Sequence, residues 1–204
     1  ASQEEYPELE TEAPLDAPTQ GNTYIQTIQS SAAHHYSDAA VVMRTLIELA
    51  EKTLSICTPY LLLDGTFLPL ICDKARSGVK VEFIIPGEHI DKRIENWTAE
   101  KDFNELMDAG VEIYRYKTTM IHTKVVLIDD DLACVGSPNL NQRSMRKDDE
   151  LILLIQDHDV CKELRDHYEN DRSQSAQMHD TDWLGNPVMN TLKRYTLRPF
   201  QEQL

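Results

Sequence analysis

Two segments of the chain repeat one order of features: a helical pattern, a glycine, and then an apolar strand. The first helical pattern ends at Ser77-Gly78, and a strand follows over residues 79–85. The second ends at Ala109-Gly110, and a strand follows over residues 111–116. Helices that alternate with buried strands pack on the faces of a mostly parallel or mixed sheet, so this order predicts an α/β layered fold.

Similar patterns predict the other elements of the sheet. Further strands are expected near residues 23–30, 54–58 and 151–155, and further helices over about residues 38–52, 64–77 and 159–172. The apolar stretches 124–128 and 132–135 are too close together for a helical crossover. They should form a hairpin that turns at Asp129-Asp130-Asp131, which makes the predicted sheet a mixed one.

The two ends of the chain differ from its middle. Residues 1–22 hold six acids, three prolines and no base, so we expect a disordered linker or tail before one compact domain over residues 23–204. Near the other end, a short amphipathic helix is expected to place Val188, Leu192 and Tyr195 on one face. Such a helix packs on its own domain or lies on a membrane surface, and the sequence leaves both open.

Composition argues against several classes of protein. The formal net charge is -15 at pH 7, whereas proteins that bind DNA or RNA usually carry a basic surface. No run of 18 apolar residues is present, so we expect no transmembrane segment in this chain. The four cysteines lack paired spacing and are expected to be reduced core residues: Cys57, Cys72, Cys134 and Cys161.

A cluster of polar residues is expected around the hairpin. His122 and Lys124 are two residues apart, so their side chains point to the same face of a strand. If the hairpin pivots on Asp130, the opposite strand brings Ser137 and Asn139 beside the same two side chains. Spacing alone therefore predicts one cluster.

Each member of this cluster has a chemical reason to be there. The imidazole of His122 can attack phosphorus or hand a proton to a leaving oxygen. Lys124 supplies positive charge, and Ser137 and Asn139 supply hydrogen-bond donors for a phosphate. Glu150 opens the next strand, and we expect its carboxylate to bind the far ring nitrogen of His122 and fix the tautomer.

The acidic runs 129–131 and 148–150 lack the alternating spacing of a calcium loop, so we interpret them as solvated turns and expect no metal or cofactor. Two roles stay open. Asp129 is either catalytic or a structural turn residue. Arg143 is either a second phosphate ligand or a structural partner of a carboxylate.

His122-Thr123-Lys124, Asp129 and Gly136-Ser137-Pro138-Asn139 match the HKD motif of the phospholipase D superfamily in every identity and gap. The wider sequence resembles the C-terminal half of bacterial cardiolipin synthases, at Thr58-Pro59-Tyr60 and across residues 136–144. Asn141 departs from the pattern, because those synthases usually have aspartate there. Leu61 to Asp64 replaces their more usual aromatic-proline loop.

The resemblance implies a phospholipase D-like α-β-α fold with a mixed central sheet and one HKD half-domain. It also implies catalysis by His122, Lys124 and Asp129 through a phosphohistidine, without a cofactor. The expected reaction moves a phosphatidyl group between phosphatidylglycerol molecules at the cytoplasmic face of the cell membrane. Nucleic acid is not an expected partner.

The family's active site uses two such motifs, and this chain has one. The second HKD half is then a preceding domain or a second copy of this chain, and the acidic start slightly favours a preceding domain. In two-motif members the second histidine is the general acid, so His122 in a C-terminal half would be the acid. The alternatives are a single-motif nuclease or phosphodiesterase acting as a homodimer, and a non-catalytic module that kept the fold.

Overall fold

One eight-stranded mixed sheet organises the computed structural model, which describes residues 22–31, 38–63, 65–87 and 102–179. The strands are β1 (Tyr24–Ser30), β2 (Thr53–Cys57), β3 (Lys80–Pro86), β4 (Glu112–Tyr116), β5 (Val125–Ile128), β6 (Leu132–Gly136), β7 (Glu150–Gln156) and β8 (Ser175–Gln177). The helices are α1 (Asp38–Leu49), α2 (Phe67–Arg76), α3 (residues 102–108), α4 (Gln142–Arg146) and α5 (His158–Ser173).

The predicted elements within the described residues are confirmed, with shifts of a few residues at their ends. Two short elements, α4 and β8, were not predicted. The expected linker over residues 1–22, except its last residue, and the expected C-terminal amphipathic helix lie outside the described residues.

The order and directions of the strands bring the ends of several strands together at one end of the sheet. The order is β1-β7-β6-β5-β2-β3-β4-β8, in which β2, β3 and β4 are parallel to one another and the other neighbours are antiparallel. Along one end of the sheet, where the strands start or stop, β2, β3, β4 and β6 end, and β5 and β7 begin. We call this the His122 edge, because His122 lies just before β5.

The two faces of the sheet carry separate apolar clusters. Ile56 and Phe83 point to one face and pack with apolar residues of α1, α2 and α3. Their strand neighbours Cys57 and Ile84 point to the other face and pack with α5. Burying a large apolar side chain of this kind contributes about 1.5–3 kcal/mol. The result is the predicted α-β-α layering.

The cysteines lie inside these clusters. All four are free and buried, as predicted. Burial raises the pKa of Cys57 to about 12 and that of Cys134 to about 12, so both thiols stay protonated at neutral pH.

The hairpin of β5 and β6 has the predicted register. Val125 pairs with Val135 and Val126 pairs with Cys134, so the turn pivots on Asp130. The N–H of Gly136 donates to the carbonyl of Lys124 at 3.3 Å, which continues the pairing to the His122 edge.

Candidate active site

His122 and Lys124 precede β5, and residues 137–139 follow β6. Because β5 and β6 are antiparallel neighbours, both segments lie at the His122 edge. His122 and Lys124 stand in the segment before the strand rather than within it, since ladder pairing of β5 begins at Val125. The predicted proximity of the two segments therefore holds.

The Lys124 ammonium lies against the His122 ring. Its Nζ is 2.9 Å from Nδ1 and 2.9 Å from the backbone carbonyl oxygen of His122. The same Nζ is 3.4 Å from Nε2. An ammonium only donates hydrogen bonds, so the nearer ring nitrogen, Nδ1, is the acceptor. The His122 side chain is exposed, and Lys124 is half-buried. The two side chains point the same way, as predicted.

Glu150 contacts Ser137 rather than His122. The Ser137 hydroxyl donates to Oε2 of Glu150 and accepts the N–H of Leu151 at 3.0 Å. The N–H of Ser137 donates to the Leu151 carbonyl, also at 3.0 Å. No hydrogen bond joins Glu150 and His122, both of which lie in the described part of the chain, so the expected contact is corrected. The carboxylate is buried at the start of β7, where it fixes Ser137.

Asn139 and Asn141 both contact Ser144. The Asn139 amide nitrogen donates to the Ser144 hydroxyl at 3.3 Å, and within the described residues its Oδ1 is buried without a hydrogen-bond partner. The Asn141 side chain accepts the N–H of Ser144 at 2.9 Å and caps α4. Asparagine and aspartate are similarly good caps, so Asn141 can fill the capping role of the aspartate that the resemblance led us to expect.

Arg143 is a structural partner of a carboxylate. Its Nε donates to both carboxylate oxygens of Asp148, at 2.9 and 3.0 Å. This contact is the structural role that the sequence left open beside a role in phosphate binding. The Arg143 side chain is more than half exposed, so the pair contributes at most about 1 kcal/mol.

Gly136 is required by the sheet. A Cβ at this position would collide with the Leu151 carbonyl oxygen of the neighbouring strand β7 and approach Cα of Ile152. The close packing of β6 against β7 therefore explains the glycine at this position.

Asp129 lies at the opposite end of β5 from His122, about 16 Å along the chain from Lys124 at the rise of an extended strand. Its carboxylate accepts the N–H groups of Glu51, Lys52 and Thr53 at 3.1, 2.7 and 2.8 Å. The structure thus corrects the catalytic role expected for Asp129. The residue anchors the loop between α1 and β2 to the hairpin.

Replacing Asp129 by alanine is expected to lower the free energy of unfolding by about 2 kcal/mol, because three N–H groups lose an ionised acceptor. The φ of +49° at this position adds to the cost for alanine. Urea unfolding followed by circular dichroism measures the change. The matched control is Asp130→Ala at the next turn position, whose 3.9 Å surface pair with Lys52 contributes little.

The same contact should make the free energy of unfolding depend on pH. Burial acts to raise the pKa of Asp129, but the backbone N–H groups and Lys52 lower it more, so the net pKa lies below its ordinary value. A carboxylate whose pKa is lower in the folded state than in the unfolded state stabilises the fold above its unfolded-state pKa, about 4. This stabilisation is lost as the pH falls through the folded-state pKa. The difference in unfolding free energy between wild type and Asp129→Asn should therefore narrow below about pH 4. A constant difference from pH 7 to pH 3 would contradict this explanation.

Tyr60 is a neighbour of His122 to which the sequence gave no role. The two ring centroids are 6.1 Å apart and the ring planes meet at 85°, an edge-to-face arrangement. Thr58-Pro59-Tyr60 directly follows the end of β2 at the His122 edge. This position after a strand was the sequence signal that could have pointed to Tyr60 as a site residue. Its contact with His122 depends on the pairing of β2 with β5, which the sequence did not specify.

The described residues contain no group of three or more histidine, cysteine, aspartate or glutamate side chains that could hold a metal ion. Within the same ranges, no helix has the length and apolar content needed to cross a bilayer.

Comparison with known proteins gives the family. A family model described as "Cardiolipin synthase, PLD-like domain" matches residues 43–172. The chain is 36% identical over 146 residues to cardiolipin synthase A of Wigglesworthia glossinidia brevipalpis, a match that covers 72% of this chain and 29% of that protein. The chain spans about a third of the length of the curated relatives it matches.

Solved structures share the fold. The phospholipase D family member Nuc from Salmonella typhimurium aligns with a TM-score of 0.66 at 18% identity, covering 78% of this chain and 99% of that one. Phosphatidylserine synthase from Haemophilus influenzae Rd KW20 aligns with a TM-score of 0.69 at 19% identity, covering 89% and 48%. With the family model matching more than half of its residues, the chain belongs to the phospholipase D-like domain family of cardiolipin synthases.

Proposed function

We propose that this chain is one motif-bearing half of a phosphatidyltransferase of the cardiolipin synthase type. Such an enzyme moves a phosphatidyl group from one phosphatidylglycerol to the hydroxyl of a second and releases glycerol. The observation that carries the proposal is the pairing of Lys124 Nζ with His122 Nδ1 at 2.9 Å, in a member of the cardiolipin synthase family. A lipid substrate would place the enzyme at the cytoplasmic face of the membrane.

The chemistry needs two imidazoles, so a second HKD half must face this one. One imidazole attacks phosphorus, and the bond from phosphorus to the glycerol oxygen breaks while the other imidazole protonates that oxygen. The hydroxyl of the second phosphatidylglycerol then attacks phosphorus, its proton returns to the second imidazole, and the bond from phosphorus to nitrogen breaks. In a C-terminal half His122 is the acid, whereas in a homodimer the two copies share both roles.

Lys124 and Asn139 are the proposed phosphate ligands. The ammonium of Lys124 would leave Nδ1 for the more negative phosphate oxygens, where charge accumulates in the transition state. The Ser137 hydroxyl already donates a hydrogen bond to the Glu150 carboxylate, and the Ser137 N–H already donates to the Leu151 carbonyl. We therefore assign Ser137 and Glu150 to positioning of the loop after β6.

The test uses vesicles of phosphatidylglycerol with this chain, alone and together with a second motif-bearing half. Mass spectrometry should find cardiolipin and glycerol in equal amounts. A nuclease homodimer is the second candidate, because one unit with this fold aligns with 99% of the Nuc chain. Cleavage of single-stranded DNA without any lipid turnover would select that candidate, although the net charge of -15 disfavours a polyanionic substrate.

Activity is expected to persist in excess EDTA, because Lys124 and its counterpart in the second half meet the negative charge on the phosphate. The measurement compares the initial rate of cardiolipin formation with and without chelator. An enzyme that EDTA silences and that only added magnesium or zinc revives would contradict the proposed mechanism.

A further inference from the structure

The His122 ring is exposed, so packing alone does not fix its orientation. Within the described residues its side chain has two ring contacts, with Lys124 Nζ and with the ring of Tyr60. The carboxylate of Glu150, which was expected to orient the imidazole, is bound to Ser137 instead. Among the described residues, the ring contacts available to orient His122 are therefore those with Lys124 and Tyr60.

Tyr60 is itself held in place. The hydroxyl of Thr58 donates to the Tyr60 carbonyl at 3.1 Å, and the N–H of Thr58 donates to the Ile84 carbonyl at 3.1 Å. On the other side of Tyr60, Leu61 forms a parallel bridge with Leu140. The loop after β2 is thus tied both to β3 and to the segment after β6.

The contact with Lys124 cannot orient the imidazole throughout the reaction. Once a phosphate oxygen takes the ammonium, as the proposed function requires, Nδ1 of His122 loses this donor. The edge-to-face contact with Tyr60 involves no phosphate ligand and survives that change. Aromatic pairs with centroids 4.5–7 Å apart in this geometry are favourable beyond their buried area.

We propose that Tyr60 is a positioning residue that holds the His122 imidazole in its reactive orientation while Lys124 binds phosphate. This inference rests on the proposed function for the timing of the Lys124 movement. The contact with Tyr60 itself can be tested without turnover.

Nuclear magnetic resonance of the 204-residue chain provides that test, in the presence of enough inorganic phosphate to draw the Lys124 ammonium away from His122. Tyr60→Leu removes the ring, Tyr60→Phe keeps it, and Tyr24→Leu is the matched control at a tyrosine that is 76% exposed at the opposite edge of the sheet. In Tyr60→Leu the order parameter of the His122 Cε1–H bond should fall, and a second ring orientation should gain about fivefold in population. Tyr60→Phe and Tyr24→Leu should match wild type.

An unchanged order parameter in folded Tyr60→Leu would overturn the proposal, as would a fall of equal size in Tyr60→Phe. Circular dichroism establishes that each variant is folded. Tyr60→Met, which also lacks a ring, replaces Tyr60→Leu if the latter does not fold.

Kinetics then separates positioning from substrate contact. In an assembly that turns over lipid, Tyr60→Leu should lower kcat about tenfold and change KM less than about twofold, because the loss falls on the oriented reacting group. A raised KM at unchanged kcat would overturn the positioning role. If instead the wild-type assembly has no lipid activity, the proposed function fails while the spectra still decide the role of Tyr60.

Discussion

Replacing His122 by alanine in a protein that carries both motifs is expected to lower the rate of phosphatidyl transfer at least about 10⁴-fold. Both proposed roles of this imidazole fail together, since the alanine variant has no ring nitrogen to attack phosphorus or to protonate the glycerol oxygen. Water cannot replace either role at the same position. The readout is kcat for cardiolipin formation from phosphatidylglycerol.

His158→Ala is the matched control, since His158 is an exposed histidine beside Asp131 at the edge of the sheet opposite His122. It should retain the rate of wild type. Retention of a near wild-type rate by His122→Ala would refute the catalytic assignment of His122 as acid or as nucleophile.

The isolated chain is expected to be folded but nearly inactive on phosphatidylglycerol while it is monomeric, because one motif supplies at most half of the active site. If two copies pair, the rate per chain should rise with protein concentration as dimers form. Light scattering and the rate measured over the same concentrations test this expectation.

Mixing wild type with His122→Ala sharpens the test. When each site needs a histidine from both chains, an equal mixture of fully paired chains leaves about a quarter of the dimers intact, instead of the half expected from dilution. A monomer that turns over lipid at a rate independent of concentration would exclude the two-motif mechanism.

Local spacing was sufficient to predict the hairpin that forms the site. The pivot on Asp130 and the proximity of His122 to residues 137–139 follow from residues close in sequence, where the side-chain period of two fixes which groups share a face. The glycine-ended helices were predictable for the same reason, since Gly78 and Gly110 have φ of +99° and +95°.

Contacts between distant segments were not predictable. Asp129 binds backbone groups more than 70 residues earlier in the chain, and Tyr60 lies against His122 because β2 and β5 are neighbours in the sheet. The prediction that Glu150 contacts His122 was wrong for a different reason. Ser137 and Leu151 are paired through the backbone, which keeps the carboxylate on the serine hydroxyl.

The position of Asp129 matters for recognising inactive paralogues. Its carboxylate ties the α1–β2 loop to the hairpin and lies at the opposite end of β5 from His122. A descendant that has lost the imidazole would still be stabilised by this aspartate, so selection on stability alone would keep part of the signature. Retention of Asp129 in such a sequence would therefore be evidence of shared architecture, and under the proposed function only the histidine and lysine would report on surviving chemistry.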